Sequence, residues 1–337
     1  MAIEIIATGH YVPEKRVTND ELSRIIDTND EWIRSHTGIG ARHVAADDQA
    51  TSDLAYNAAV EALRQLSPEN PLEAAETLDL IVVCTSSPDF VGFPSVACVV
   101  QDKLGLKSTP AFDLIAACTG FVYALDAAAA MIQTGSRKRA LVVGADVLTR
   151  ITDWSDRGTC VLFGDAAGAV ILERTDAPSA GPERRGLVQS ILHAEGSGAN
   201  ELMCTRGGTR NPFKKGEIVD KTGYLYMNGR AVYTFAVKAF TDMIRELLDA
   251  DGISIDQVAK IIPHQANERI IQAAAKRLGI EESKFYLNIA QYANTSNATI
   301  PVALDECARS GGLTKGDLIM TVGFGGGLTY GGNLIVW

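Results

Sequence analysis

Short apolar runs rich in β-branched residues recur along the chain, bounded by Gly or Asp. Examples are Leu80-Ile81-Val82-Val83, Ala140-Leu141-Val142-Val143-Gly144 and Leu318-Ile319-Met320-Thr321-Val322-Gly323. Runs of this length and composition predict buried strands. Between them, alanine-rich stretches at 52–65, 121–134, 232–248 and 268–278 carry apolar residues at helical spacing, which predicts helices. The alternation predicts an α/β fold of layered helices and sheets.

The same order of elements is legible twice. Cys118 opens an alanine-rich helix, followed by the strand at 140–144 and then by Phe163-Gly164-Asp165-Ala166-Ala167-Gly168-Ala169-Val170-Ile171-Leu172. Asn294 precedes a helical stretch at 300–309, followed by the strand at 318–323 and then by Phe324-Gly325-Gly326-Gly327-Leu328-Thr329-Tyr330. Each half is thus expected to close on a glycine-rich hairpin. Pro178, Ser179, Gly181 and Pro182 cluster at 175–185, which places the boundary there. Residues 1–175 then form a half bearing the cysteine, and 176–337 a half bearing His264 and Asn294. The polar segment 196–223 reads as a long loop of the functional kind. Trp32 lies in another polar segment, 27–43, ahead of the first long helix.

With 337 residues and 46% hydrophobic content, the chain exceeds the usual size of a single core. Its formal net charge of -10 argues against a general nucleic-acid binder, which needs a basic footprint. The six cysteines, Cys84, Cys98, Cys118, Cys160, Cys204 and Cys307, form no Cys-x-x-Cys pair, so spacing suggests neither a disulfide framework nor a zinc site. Residues 1–9 do not read as a leader, and no segment reaches the ~18 apolar residues of a membrane span. A soluble, cytoplasmic protein without membrane or nucleic-acid partners is expected.

Cys118 lies in Ala116-Ala117-Cys118-Thr119-Gly120-Phe121, after the apolar segment 111–115 and before a predicted helix. A thiol at such a strand-to-helix turn meets unpaired N–H groups and the positive end of the helix dipole, so a lowered pKa is expected. An isolated cysteine also suits a role as a small buried hydrophobe. His264 follows a strand in Ile262-Pro263-His264-Gln265-Ala266-Asn267, and Asn294, in Tyr292-Ala293-Asn294-Thr295-Ser296, reads as a third strand-to-helix junction. A neutral imidazole and a side-chain amide can each donate to an oxygen that gains charge in a transition state. Either alone equally suits a helix cap. Phe324-Gly325-Gly326-Gly327 reads as a tight turn whose N–H groups, with that of Cys118, make a candidate oxyanion hole. Gly164 and Gly168 read as structural.

These residues resemble the β-ketoacyl-acyl-carrier-protein synthase III family nearly end to end. The resemblance runs through Gly9-His10-Tyr11-Val12-Pro13, Asp30-Glu31-Trp32-Ile33, Ala117-Cys118, Phe163-Gly164-Asp165, Pro263-His264-Gln265-Ala266-Asn267, Asn294-Thr295-Ser296 and Phe324-Gly325-Gly326-Gly327. The Cys, His, Asn order is the specific part. Elongating relatives carry a second histidine in place of Asn294, and degradative thiolases carry a cysteine where Phe324 stands. The resemblance implies a thiolase-like fold of two similar halves in a five-layered α-β-α-β-α arrangement. It also implies a decarboxylative Claisen condensation that initiates fatty-acid synthesis, through an acyl-Cys118 thioester. In that reading His264 and Asn294 stabilise the malonyl enolate, and the N–H groups of Cys118 and Gly326 hold the acyl oxygen. Coenzyme A enters as a thioester substrate, with no metal or redox cofactor. Acyl-CoA and acyl carrier protein are the implied partners.

By the same resemblance Trp32 stacks on adenine, Arg157 grips that end and Asn267 lies near the pantetheine arm. Phe93, Tyr233 and Phe324 match acyl-pocket positions, Phe93 reaching the pocket of a second subunit in a homodimer. The exposed face carrying Arg269, Lys276 and Arg277 is a candidate dock for the acidic carrier, or an ordinary solvated face. The chain departs from the family at His36, where arginine is usual; either His36 stacks or Arg34 compensates. Asn297 replaces a small residue, and Tyr233 a common phenylalanine, with a change of acyl group as the expected effect. These departures leave room for a specialised relative making a polyketide starter, a quinolone or a biotin precursor. A non-catalytic partner subunit is the third reading, one that ordinarily lacks the nucleophile.

Overall fold

In the structure, a computed structural model that describes residues 1–134, 136–216 and 224–337, every residue of strand Leu80–Cys84 is buried. That is the pattern of a strand covered on both faces. It pairs in parallel with Ala111–Leu114 and Arg139–Val147. Beyond the latter, Asp165–Thr175 and Ala2–Tyr11 continue the sheet in antiparallel fashion. A second sheet has the order Val258–Pro263, Leu318–Gly325, Thr329–Val336, Gly186–Ala194, its first pair parallel and the rest antiparallel. Residues 176–185 carry the chain from the last strand of the first sheet to the first strand of the second.

Side chains alternate across a strand, so Ile81, Val83, Leu141 and Val143 pack on helix Thr51–Leu66 through Leu54, Ala55, Ala58 and Ala62. Leu80, Val82 and Val142 point the other way, onto helices Gly120–Gln133 and Thr299–Arg309. The same two helices meet the second sheet at Ile262, Ile319 and Ile335. On its far face, Phe240, Met243 and Leu247 of helix Gly229–Asp251 pack against Met320, Val322 and Leu334, beside helix Glu268–Leu278. The order is helices, sheet, helices, sheet, helices, the five-layered arrangement that the resemblance implies. Among the described residues, no helix is long and apolar enough to cross a membrane.

Three expectations are corrected. The run from Phe163 to Leu172 closes no tight hairpin, because its strand pairs with Arg139–Val147 across the long connection at 148–164. Gly168 serves a close approach instead: a Cβ there would lie 2.7 Å from the Val302 nitrogen of the central helix. Within the long segment 196–223, Leu202–Cys204 is a strand paired with Leu225–Met227; its residues 217–223 lie outside the described residues. Trp32 sits on a helix of its own, Asp30–Thr37, whose first turn is capped by Asn29 Oδ1 accepting the Trp32 N–H at 2.7 Å.

Candidate active site

Cys118 lies in the single 3₁₀ turn Ala117–Thr119 between strand Ala111–Leu114 and helix Gly120–Gln133. The turn is entered through Ala117 at φ 45°, a left-handed conformation that costs a non-glycine residue about 1–2 kcal/mol. The hydroxyl of Thr329 stitches this turn to the C-terminal hairpin. Its Oγ1 is 2.9 Å from Ala116 O, 3.0 Å from Thr119 Oγ1 and 3.1 Å from Gly326 O. Gly325 packs so closely on Cys118 that a Cβ would stand 2.8 Å from the Cys118 nitrogen. A side chain there would displace the turn.

His264 follows strand Val258–Pro263 and is held by its N–H to Val322 O at 2.7 Å. The ring meets Phe324 edge-on at 5.1 Å between centroids. Its Nδ1 is buried without a hydrogen-bond partner among the described residues, which leaves Nε2 as the nitrogen open to the cavity. Burial lowers its pKa to about 3, so the imidazole is neutral at physiological pH.

Asn294 does not follow a strand, contrary to the sequence reading. It comes after the four-residue helix Ile289–Tyr292 and makes an isolated bridge with Phe163. Its N–H donates to Leu162 O at 2.9 Å, and its carbonyl accepts the Gly164 N–H at 3.1 Å. Ala293 at φ 60° and Ser296 at φ 50° flank it. Three non-glycine residues in the left-handed region thus adjoin the two reactive positions, the clustering of backbone strain found at functional sites. The Asn294 Oδ1 accepts the Ser296 N–H at 2.9 Å, so Nδ2 remains as a donor.

Cys118, His264 and Asn294 line one cavity of about 480 Å³, with Gly326, Phe324 and Tyr233 also in its wall. Cys118 is partly accessible, yet its surroundings are apolar. Desolvation pushes its thiol up to about 12; the Ser296 hydroxyl draws it down, Asp146 draws it up, and its own backbone N–H draws it down. Burial thus works against the lowering expected of a helix N-terminus. The contacts made by Ser296 and Thr329 have no local sequence signal, because they join residues far apart in the chain or depend on an unusual φ.

At the coenzyme A positions, the Arg157 guanidinium lies over the Trp32 ring at 3.9 Å. His36 stacks on Trp32 at 4.4 Å, and its Nδ1 is 2.7 Å from Trp32 O. Arg34 is paired with Asp30 at 2.8 Å. His36 is thus stacked on Trp32 itself, while Arg34 is engaged with Asp30. Asn267 lines the cavity, and its Nδ2 donates to His36 O at 3.0 Å, tying the Trp32 helix to the site.

Phe93 stands apart, 88% exposed and outside the cavity wall of its own chain. Arg269, Lys276 and Arg277 are exposed on helix Glu268–Leu278. Asn297 lies deeper. It is buried outside the cavity wall, its Nδ2 donating to Asp146 Oδ2 at 2.8 Å.

Residues 112–196 match the family model of 3-oxoacyl-[acyl-carrier-protein] synthase III, and residues 248–337 match the model of its C-terminal part. The chain is 47% identical to a beta-ketoacyl-[acyl-carrier-protein] synthase III of Clostridium acetobutylicum, over 100% of this chain and 99% of the relative. The solved 3-oxoacyl-[acyl-carrier-protein] synthase III of Aquifex aeolicus superposes with a TM-score of 0.87 at 41% identity, covering 100% of both chains. That of Thermus thermophilus gives 0.89 at 39%, covering 99% of both. By these matches and the Cys, His, Asn site, the chain belongs to the 3-oxoacyl-[acyl-carrier-protein] synthase III family.

Proposed function

We propose that the chain condenses an acyl-CoA primer, acetyl-CoA in the first instance, with malonyl-acyl-carrier protein, the initiating step of fatty-acid synthesis. In the first stage the Cys118 sulfur attacks the acyl-CoA carbonyl, coenzyme A leaves as its thiol, and the acyl group remains on Cys118. In the second, the malonyl group loses carbon dioxide, and the resulting enolate carbon attacks the acyl-Cys118 carbonyl. The C–S bond breaks, Cys118 leaves as thiolate and recovers a proton, and a β-ketoacyl group remains on the carrier.

His264 Nε2–H and Asn294 Nδ2–H are assigned to the malonyl thioester oxygen, which becomes the enolate oxygen. The N–H groups of Cys118 and Gly326 are assigned to the acyl oxygen. One donor of this kind contributes about 3–4 kcal/mol to the transition state. The observation that carries this reading is the pairing of a neutral, buried imidazole with an amide whose oxygen is already occupied. With the His264 proton assigned to Nε2, both can donate to an oxygen held in the cavity that Cys118 lines.

The stacked Trp32 and Arg157 are assigned to the nucleotide end of coenzyme A, and Asn267 to the arm leading inward. Arg269, Lys276 and Arg277 are assigned to the acidic carrier. Phe93, exposed beside Phe90 and Val91, is assigned to the contact between two copies in a homodimer, reaching the partner's acyl pocket.

Intact-protein mass after mixing with acetyl-CoA tests the chemistry. The expected result is an acetyl adduct that is absent from Cys118→Ala and disappears on adding malonyl-carrier protein, with release of a β-ketoacyl-carrier product. An adduct that persists in the presence of malonyl-carrier protein would overturn the proposal.

A further inference from the structure

Gln265 follows His264 directly and is fully buried. A buried side-chain amide must find partners for both its acceptor and its donor. Here they all belong to one distant segment. Oε1 accepts the Asn288 N–H at 2.8 Å and the Ile289 N–H at 2.9 Å, while Nε2 donates to Tyr286 O at 3.2 Å.

That segment leads to Asn294. The helix Ile289–Tyr292 has no capping bond from the side chain of its own N-cap residue, Asn288. Gln265 supplies the missing acceptor from the His264 loop. The segment begins where the Tyr286 N–H donates to Ile261 O at 3.0 Å, on the strand that carries His264. Glu306 holds it from another side, accepting from Asn288 Nδ2 at 2.6 Å and from the Tyr292 hydroxyl at 2.5 Å.

His264 has no side-chain partner of its own to orient it among the described residues. With Nδ1 unpartnered, no hydrogen-bonded group turns the ring, and its placement falls to its main chain and to packing against Phe324. Val322 fixes the residue through its N–H. Gln265 fixes the next residue along, and with it the route to the second donor. Gln265 is absent from the cavity wall, whereas Ala266 and Asn267 belong to it, so it touches no substrate.

We infer that Gln265 is a positioning residue that sets the distance between the His264 and Asn294 donors, and so governs the malonyl half-reaction selectively. This rests on the reaction assigned above. Leucine at 265 leaves the Asn288 and Ile289 N–H groups without their acceptor. Glutamate keeps an acceptor for both but cannot donate to Tyr286 O when ionised.

The test separates the half-reactions in full-length protein. Cys118 acylation by acetyl-CoA is followed by intact mass, and carbon dioxide release and product formation by turnover at saturating malonyl-carrier protein. Gln265→Leu is expected to lower turnover roughly ten- to a hundredfold, the scale of a small misplacement of catalytic groups. Acylation should stay within about twofold, since the nucleophile turn is held separately by Thr329. Gln265→Glu should recover part of the loss.

Equal falls in both half-reactions, tracking the thermal midpoint, would make the role merely structural and overturn the inference. If Gln265→Leu does not fold, an unchanged ratio of turnover to acylation in Gln265→Glu would overturn it alone. A wild-type protein that fails to consume malonyl-carrier protein would instead reject the assigned reaction.

Discussion

The side-chain oxygen of Asn294 accepts the Ser296 backbone N–H at 2.9 Å, and Ser296 reaches that position at φ 50°. The bond distinguishes the two ends of the amide. A rotated amide would set its NH₂ group against an N–H donor, so Nδ2 stays directed away from Ser296. Strain in the backbone is thereby converted into a fixed direction for a donor.

Replacing that donor gives a direct check. In Asn294→Asp one carboxylate oxygen keeps the Ser296 bond while the other places negative charge where Nδ2 stood. Carbon dioxide release from malonyl-carrier protein is expected to fall roughly a hundred- to a thousandfold, with acetyl transfer to Cys118 retained. Loss of both steps together would place Asn294 in the acyl-transfer step instead.

The buried imidazole makes a prediction about pH. Burial holds His264 at about 3, against 6.5 for the free group. Below pH 6.5 the unfolded chain binds a proton that the folded one refuses, so this contribution to stability is complete above about 6.5. It is lost as pH falls from there toward 3. One pH unit corresponds to about 1.4 kcal/mol. Urea unfolding at about pH 7.5 and 5.5 should show wild type losing about 1 kcal/mol more than His264→Gln. An identical pH dependence in the two proteins would reject the neutral, buried form.

Gly325→Ala tests the contact between hairpin and nucleophile. The new Cβ would meet the Cys118 nitrogen at 2.8 Å and its Cβ at 2.9 Å, backbone and near-backbone atoms that cannot swing aside. Overpacking of this kind costs about 1–3 kcal/mol, and acetyl transfer to Cys118 should slow. Gly208→Ala, where nothing among the described residues lies within 4 Å, is the control. Normal acylation of Gly325→Ala would show that the turn can shift without consequence.

What was readable in the sequence follows from range. Leu80–Cys84 and Gly120–Gln133 declare themselves through uninterrupted apolar residues and small residues at helical spacing, signals contained within the segment. Cys118, His264 and Asn294 were legible because each sits in a short run of distinctive composition. The Trp32 helix was missed because it has eight residues and only two buried positions, Ile33 and Thr37. Asn294 was assigned to a strand end because a one-residue bridge to Phe163 leaves no periodic trace. Gly168 looked like a turn because a glycine required for helix–sheet contact and one required for a bend are the same letter. Thr329, Ser296 and Gln265 act through partners up to hundreds of positions away or through backbone dihedrals, and neither is written in local pattern.

Cys118 combines access to the cavity with a thiol pushed up to about 12 by its apolar surroundings. Since the thiolate is the form that peroxides and alkylating agents attack, the sulfur rests in a latent state. A thiol raised in this way is expected to react slowly with such reagents in bulk solvent, so that acylation relies on what the cavity can hold against the sulfur.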